Sequence, residues 1–192
     1  MIPTLTTPRL TLRAPEVRDF EAYADFRAAP EPMAWLGGPI SREAAWHQFC
    51  ALLGQWQLRG YGRWIVTLRG DDTPVGLVGL FEPIDWPGQE MSWAVFPGSE
   101  GRGIATEAAR AARRWWYALG NGTLISHVAP GNTRSVALAE RLGCTPGETL
   151  SHPVFGEIVR WRHPERVEPF IADAPRTRLA ASPAVHAVDR GH

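Results

Sequence analysis

The chain has 192 residues, 44% hydrophobic and 21% charged, with 20 basic and 20 acidic side chains and a formal net charge of zero. That is enough chain for one hydrophobic core. The composition excludes a disordered polymer, and the lack of any run of about eighteen apolar residues excludes a membrane-spanning helix.

Zero net charge argues against a general electrostatic grip on nucleic acid, so no nucleic-acid or membrane partner is expected. The start, MIPTLTTPRL, has no basic segment leading into an apolar one, and no secretory signal is expected. Cys50 and Cys144 are far apart and form neither a disulfide framework nor a metal-ligand cluster, which points to a cytoplasmic setting. Nine tryptophans exceed what a core of this size needs, so some are candidates to line a groove.

In chain order, strands alternate with helices, the pattern of an α/β or α+β layered fold with a mixed sheet. Residues 9–13 (RLTLR) alternate as a strand. Asp19 is placed to cap a helix whose Phe20, Tyr23 and Phe26 share one face. Pro30 and Pro32 stop that helix, and Gly37-Gly38-Pro39 reads as a turn. Ser41 can cap the next helix, from 42 to about 58, which carries Trp46, Phe49, Leu53 and Trp56.

Residues 62–68 (GRWIVTL) and 74–81 (PVGLVGLF) flank the polar turn Arg69-Gly70-Asp71-Asp72, a hairpin signal. A third strand is expected over 89–96 (QEMSWAVF), closed by Pro97-Gly98. The turn EGRG leads into ATEAARAARRWWYAL, rich in strong helix formers and ended at Gly120. Residues 123–129 (TLISHVA) read as a strand. Asn132 caps a helix running to Leu142, and 145–161 reads as two strands around His152-Pro153. From about 164, Pro, Ala and Arg dominate and periodicity fades. One domain over 1–165 with a flexible tail at 166–192 is expected.

The sharpest local signal is Gly101-Arg102-Gly103-Ile104-Ala105-Thr106, between a buried-looking strand and a strong helix. Such a junction exposes backbone N–H groups and the positive end of the helix dipole, a site for phosphate. Glycines let the backbone approach a ligand closely. The turn is too short for the GxxxxGK[ST] loop, and it follows antiparallel-looking strands, unlike the dinucleotide fingerprint. By itself it also reads as a structural turn and cap.

With its surroundings, this segment resembles the coenzyme A-binding signature of the GNAT superfamily of N-acetyltransferases, Gln/Arg-x-x-Gly-x-Gly/Ala. Gly103 and Ala105 fill the last two places, and Glu100 stands where the pattern has Gln or Arg. Residues 97–109 (PGSEGRGIATEAA) are similar to the RimJ/RimL branch of ribosomal-protein alanine acetyltransferases. So are TPRLTLR at 7–13, APEPMAWLGG at 29–38 and NTRSVALAERLG at 132–143, and the likeness covers roughly 5–163. It implies the GNAT fold: a mostly antiparallel sheet, flanked by helices and splayed at the strand ending near 96. It implies acetyl-coenzyme A as co-substrate, no metal, and an amine acceptor that is a peptide N-terminus or a small molecule. A relative that binds acyl-coenzyme A without catalysis, or with another specificity, is the alternative. The strands at 145–161 permit a homodimer.

The resemblance also implies roles. Backbone N–H groups of Gly101, Arg102, Gly103, Ile104, Ala105 and Thr106 would hold the phosphates. A bulge at Val95 would splay its strand and turn the Val95 N–H toward the thioester carbonyl. Asn132 would bond the pantetheine arm, and Ser135, on the same side of its helix, would stand near the acetyl group or sulfur. A tyrosine general acid of many relatives is replaced here by Ala139. The general base is open among His127, Glu82 and Glu90, and His127 also reads as a half-buried structural histidine. Trp35, Trp86 and Trp93 are candidates to shape the acceptor groove. The other histidines, His47, His152, His163, His186 and His192, form no spaced metal set.

Overall fold

The computed structural model describes residues 1–84 and 86–165, and the tail expected at 166–192, with His186 and His192, lies outside them. The strands are β1 (Leu5–Thr6), β2 (Leu10–Arg13), β3 (Arg63–Leu68), β4 (Pro74–Phe81), β5 (Glu90–Val95), β6 (Ile125–Val128), β7 (Thr145–His152) and β8 (Gly156–Arg162). The helices are α1 (Phe20–Ala28), α2 (Pro30–Met33), α3 (Arg42–Arg59), α4 (Ile104–Ala118) and α5 (Thr133–Arg141). The strands form one open sheet in the order β1-β2-β3-β4-β5-β6-β8-β7. Among the described residues, only β5 and β6 run parallel.

The period of two along the strands assigns each side chain to a face. Ile65 and Leu77 meet Phe20, Tyr23, Phe26, Phe49 and Leu52 on the α1/α3 face. Trp64, Val66, Val78, Leu80 and Met91 meet Ile104, Ala108, Ala112, Trp116 and Leu138 on the α4/α5 face. Four buried alanines on α4 (Ala108, Ala109, Ala111 and Ala112) let that helix lie close to the sheet.

One local expectation is corrected, and two others gain detail. Asp19 does not cap α1: its carboxylate accepts two bonds of 2.7 Å from the Arg13 guanidinium and one of 2.8 Å from the Glu16 N–H. A buried charge needs that pairing more than a helix end needs its cap. Pro30 ends α1 but also starts α2, where a missing N–H costs nothing. On α3 the inward residues are Ala45, Phe49, Leu52 and Trp56, while Trp46 and Leu53 are exposed. Ser41 does cap α3, accepting from the Ala44 N–H at 3.2 Å.

The feature that positions the site is a parting of strands. β4 and β5 share six registered pairs, whereas β5 and β6 share one, Glu90↔Ile125. Beyond Glu90 the two strands separate and a V-shaped slot opens toward Val95. The bulge expected at Val95 is not the cause, because the β4–β5 ladder keeps its register from Gly76↔Val95 to Phe81↔Glu90. β6 instead pairs along its whole length with β8, so it follows the twist of the β7–β8 hairpin while β5 follows β4.

Candidate active site

The slot widens into a cleft of about 1520 Å³ that reaches residues on both faces of the sheet. At one end lies the glycine turn. Gly101 and Gly103 adopt φ of +73° and +75°, and Gly103 is the N-cap of the 15-residue α4. Left-handed backbone of this kind favours glycine, and it turns the first N–H groups of α4 outward. Gly101, Gly103, Ile104, Ala105 and Thr106 line the cleft; the Arg102 side chain does not, and its carbonyl accepts from Arg9 Nη1 at 3.0 Å. Glu107 braces the turn from behind, accepting from the Thr7 hydroxyl at 2.6 Å and Arg9 Nε at 2.7 Å. Burial raises its pKa, but the bonds from Thr7 and Arg9 outweigh burial and hold it below the usual range.

Val95 stands where the slot is open. The Phe96 N–H donates to the Val75 carbonyl, so the alternation of an antiparallel ladder turns the backbone groups of Val95, Trp93 and Met91 away from β4. The Met91 carbonyl confirms this direction, accepting from Ser126 Oγ of β6 at 2.6 Å. At Val95 no strand faces that side, so its N–H points into the slot.

On the α4/α5 face, Trp93 Nε1 donates to Ser135 Oγ at 3.2 Å, and the Ser135 N–H donates to Asn132 Oδ1 at 3.2 Å as the cap of α5. Because Trp93 fills an acceptor site on Ser135, the Ser135 hydroxyl proton is left for another group in the cleft. The Asn132 amide likewise keeps its NH₂ after capping. Ala139 is fully buried and presents no acid.

On the α1/α3 face, His127 Nδ1 lies 2.8 Å from Glu90 Oε2, and Trp86 Nε1 donates to the same oxygen at 2.7 Å. A carboxylate only accepts, so in neutral His127 the proton sits on Nδ1 and the Nε2 lone pair is free. That Nε2 is buried, has no partner among the described residues, and belongs to a residue lining the cleft. Trp86 stands edge-on to His127, His152 and Phe155, so the tip of the β7–β8 hairpin steadies the pair.

Glu82, the third candidate base, is not brought to this site. It does not line the cleft, and it is held by the Tyr61 hydroxyl, by Arg59 at 3.2 Å and by Gln89 at 3.2 Å. Trp35 covers the loop before α5, so tightly that a Cβ on Gly131 would meet its ring at 2.5 Å. Trp35, Trp86 and Trp93 all line the cleft. Cys144 is buried, and burial pushes its thiol up to about 11, so it stays protonated near neutral pH. Among the described residues no three His, Cys, Asp or Glu side chains converge as a metal site requires, and no helix is long and apolar enough to cross a membrane.

Sequence reasoning missed two cleft residues, Arg27 and Arg63. Both left a signal. Arg27 lies one turn after Tyr23 on the inward face of α1, and Arg63 shares the inward register of Ile65 on β3.

Residues 9–145 match the model of the acetyltransferase (GNAT) domain. An acetyltransferase from Agrobacterium tumefaciens str. C58 superposes with a TM-score of 0.77 at 38% identity, over 85% of this chain and 95% of that one. RimL, the ribosomal L7/L12 α-N-protein acetyltransferase in complex with coenzyme A, shares the fold at 16% identity. Its TM-score is 0.67, over 84% of this chain and 97% of its own. Spermidine N-acetyltransferase from Vibrio cholerae, in complex with coenzyme A and spermine, shares it at 20% identity with a TM-score of 0.66, over 81% and 95%. A family match over most of the chain, and a splayed sheet with a glycine turn at the head of α4, agree: this chain is an N-acetyltransferase of the GNAT family.

Proposed function

We propose that the protein transfers the acetyl group of acetyl-coenzyme A to a primary amine, a peptide N-terminus or a small molecule, by direct attack with both substrates bound. The observation that carries this reading is the Glu90–His127 pair, which leaves Nε2 of a cleft-lining histidine without a partner among the described residues, beside the slot that the Val95 N–H faces. The residues present fit coenzyme A: the turn from Gly101 to Thr106 offers backbone donors to the pyrophosphate, and the Asn132 amide offers one to the pantetheine arm.

His127 Nε2 takes a proton from the acceptor ammonium. The freed amine attacks the thioester carbonyl, and the Val95 N–H stabilises the oxyanion that forms. Collapse of that intermediate breaks the C–S bond, and the second proton of the attacking nitrogen passes to the departing thiolate through water or the Ser135 hydroxyl, which gives up its own proton and takes up the one from nitrogen. Glu90 is a positioning residue: it fixes the His127 tautomer and stabilises the imidazolium. Glu82 supports Tyr61 and Arg59 and takes no part.

Release of free thiol from acetyl-coenzyme A, followed with N-terminal peptides, amino acids, polyamines and aminoglycosides, tests the reading. Acceptor-dependent release that is lost in H127Q supports it. Coenzyme A binding with no release to any acceptor would favour a non-catalytic relative.

A further inference from the structure

The acceptor side of the cleft holds two guanidinium groups without a carboxylate. Arg27 Nη1 donates to the thioether of Met33 at 2.9 Å, a weak acceptor, and its Nε is buried with no partner among the described residues. Arg63 lies 4.7 Å over the centre of the Phe81 ring and donates no side-chain hydrogen bond to a described residue. Neither has a carboxylate oxygen of a described residue within 4.0 Å. Burial holds both below the usual guanidinium range.

Of the other arginines lining the cleft, Arg134 pairs with Glu31 at 3.5 Å, and Arg141, at the end of α5, has no carboxylate of a described residue within 4.0 Å and donates through Nε to the Ala137 carbonyl at 2.9 Å. On the α1/α3 face of the cleft the unmatched charge is at Arg27 and Arg63, beside Tyr23, Gln48 and Phe81. Register sets the distance to the chemistry. Arg63 pairs with Gly79 and Gly79 with Ser92, so Arg63 stands two strands, about 10 Å, from β5 on the face that carries Glu90.

We propose that Arg27 and Arg63 form an anion-binding subsite, so that the preferred acceptor is an amine that also carries an oxyanion, a carboxylate or a phosphate, several bonds from the reacting nitrogen. Guanidinium groups pair with such oxyanions through parallel charge-assisted bonds. A polyamine would instead place a second ammonium against two arginines. The inference rests on the acetyl-transfer reading above and names its substrate class.

The test uses the full chain saturated with coenzyme A for binding, and with acetyl-coenzyme A for transfer. Matched acceptors are compared by calorimetry and by thiol release: a dipeptide acid with its C-terminal amide, an amino-sugar phosphate with the free amino sugar, and spermidine. The charged member of a pair is expected to bind about 10- to 100-fold more tightly than its neutral twin. R63Q and R27Q should bring that ratio close to one, and R63K should keep part of it. Coenzyme A affinity and thermal unfolding should stay unchanged, and if R27Q does not fold, R63Q carries the test. The pair with the larger ratio identifies the oxyanion. Preference for the amide, the unphosphorylated sugar or spermidine, or a ratio indifferent to R63Q, overturns the proposal. Arg63-dependent binding of the anion without any thiol release would sink the transfer reading and leave the subsite standing.

Discussion

Glu90 and His127 meet at 2.8 Å where β5 and β6 make their single registered contact, at the apex of the slot. On the proposed reading, the amine is deprotonated there. H127Q should lower kcat about 10²- to 10³-fold, the scale of a lost general base. E90Q keeps an oxygen for Trp86 but loses the charge facing the imidazole. Its kcat should fall less. E82Q should leave kcat close to wild type. Steady-state rates separate the three variants.

The turn proposed to receive the coenzyme depends on backbone that only glycine adopts easily. Gly103 has φ of +75°, and a Cβ there would lie 3.4 Å from Arg9 Nη2. G103A should cost about 1–2 kcal/mol in stability and weaken coenzyme A binding on the order of tenfold. Denaturant unfolding and calorimetric titration read the two effects separately.

Arg13 and Asp19 form a buried pair on the rim of the α1/α3 face, with Asp19 only 1% exposed. R13A leaves that carboxylate buried without its cation and should destabilise the protein by about 3–5 kcal/mol. R42A, which removes the exposed pair with Glu21, should cost far less. Urea midpoints of the two variants provide the comparison.

His163 should make stability fall in acid. Its Nε2 lies 2.9 Å from Ser126 Oγ and its Nδ1 3.3 Å from Arg113 Nη1. Ser126 donates to the Met91 carbonyl, so Nε2 carries the proton, Nδ1 accepts from Arg113, and the ring is neutral. Burial first, and the Arg113 charge second, push its pKa down to about 3. The unfolded chain binds this proton near pH 6.5 and the folded chain does not. His163 therefore costs nothing above about pH 6.5 and lowers stability as pH falls toward 3, by at most about 1.4 kcal/mol per pH unit. Unfolding free energies at pH 7, 6 and 5 should show this slope, and H163Q should reduce it.

Elements with a local cause were legible in the sequence. Ser41 and Asn132 are short polar residues ahead of apolar periodic runs, and both cap. The Arg69–Asp72 turn joins two antiparallel strands, and the glycines before Ile104 sit at a helix start. Where a long-range partner competes with a local one, the sequence misleads. Asp19 has the form of a cap, yet a guanidinium six residues earlier takes its carboxylate. Leu53 is as apolar as Leu52, and only the angle at which α3 lies on the sheet decides that Leu52 is buried.

The same division holds for the site. Backbone chemistry is local, so the order strand, glycine turn and helix was legible in the sequence, and the structure has Gly103 as the N-cap of α4. His127, Glu90 and Glu82 were equal candidates in one dimension, because nothing along the chain says which carboxylate faces the imidazole. Tertiary structure decided it: the parallel register Glu90↔Ile125 brings Glu90 to His127, while Glu82 is spent on Tyr61, Arg59 and Gln89. Tertiary structure also left Arg27 and Arg63 without counterions among the described residues, since a missing partner is a property of the packed space around a charge and not of its neighbours in sequence.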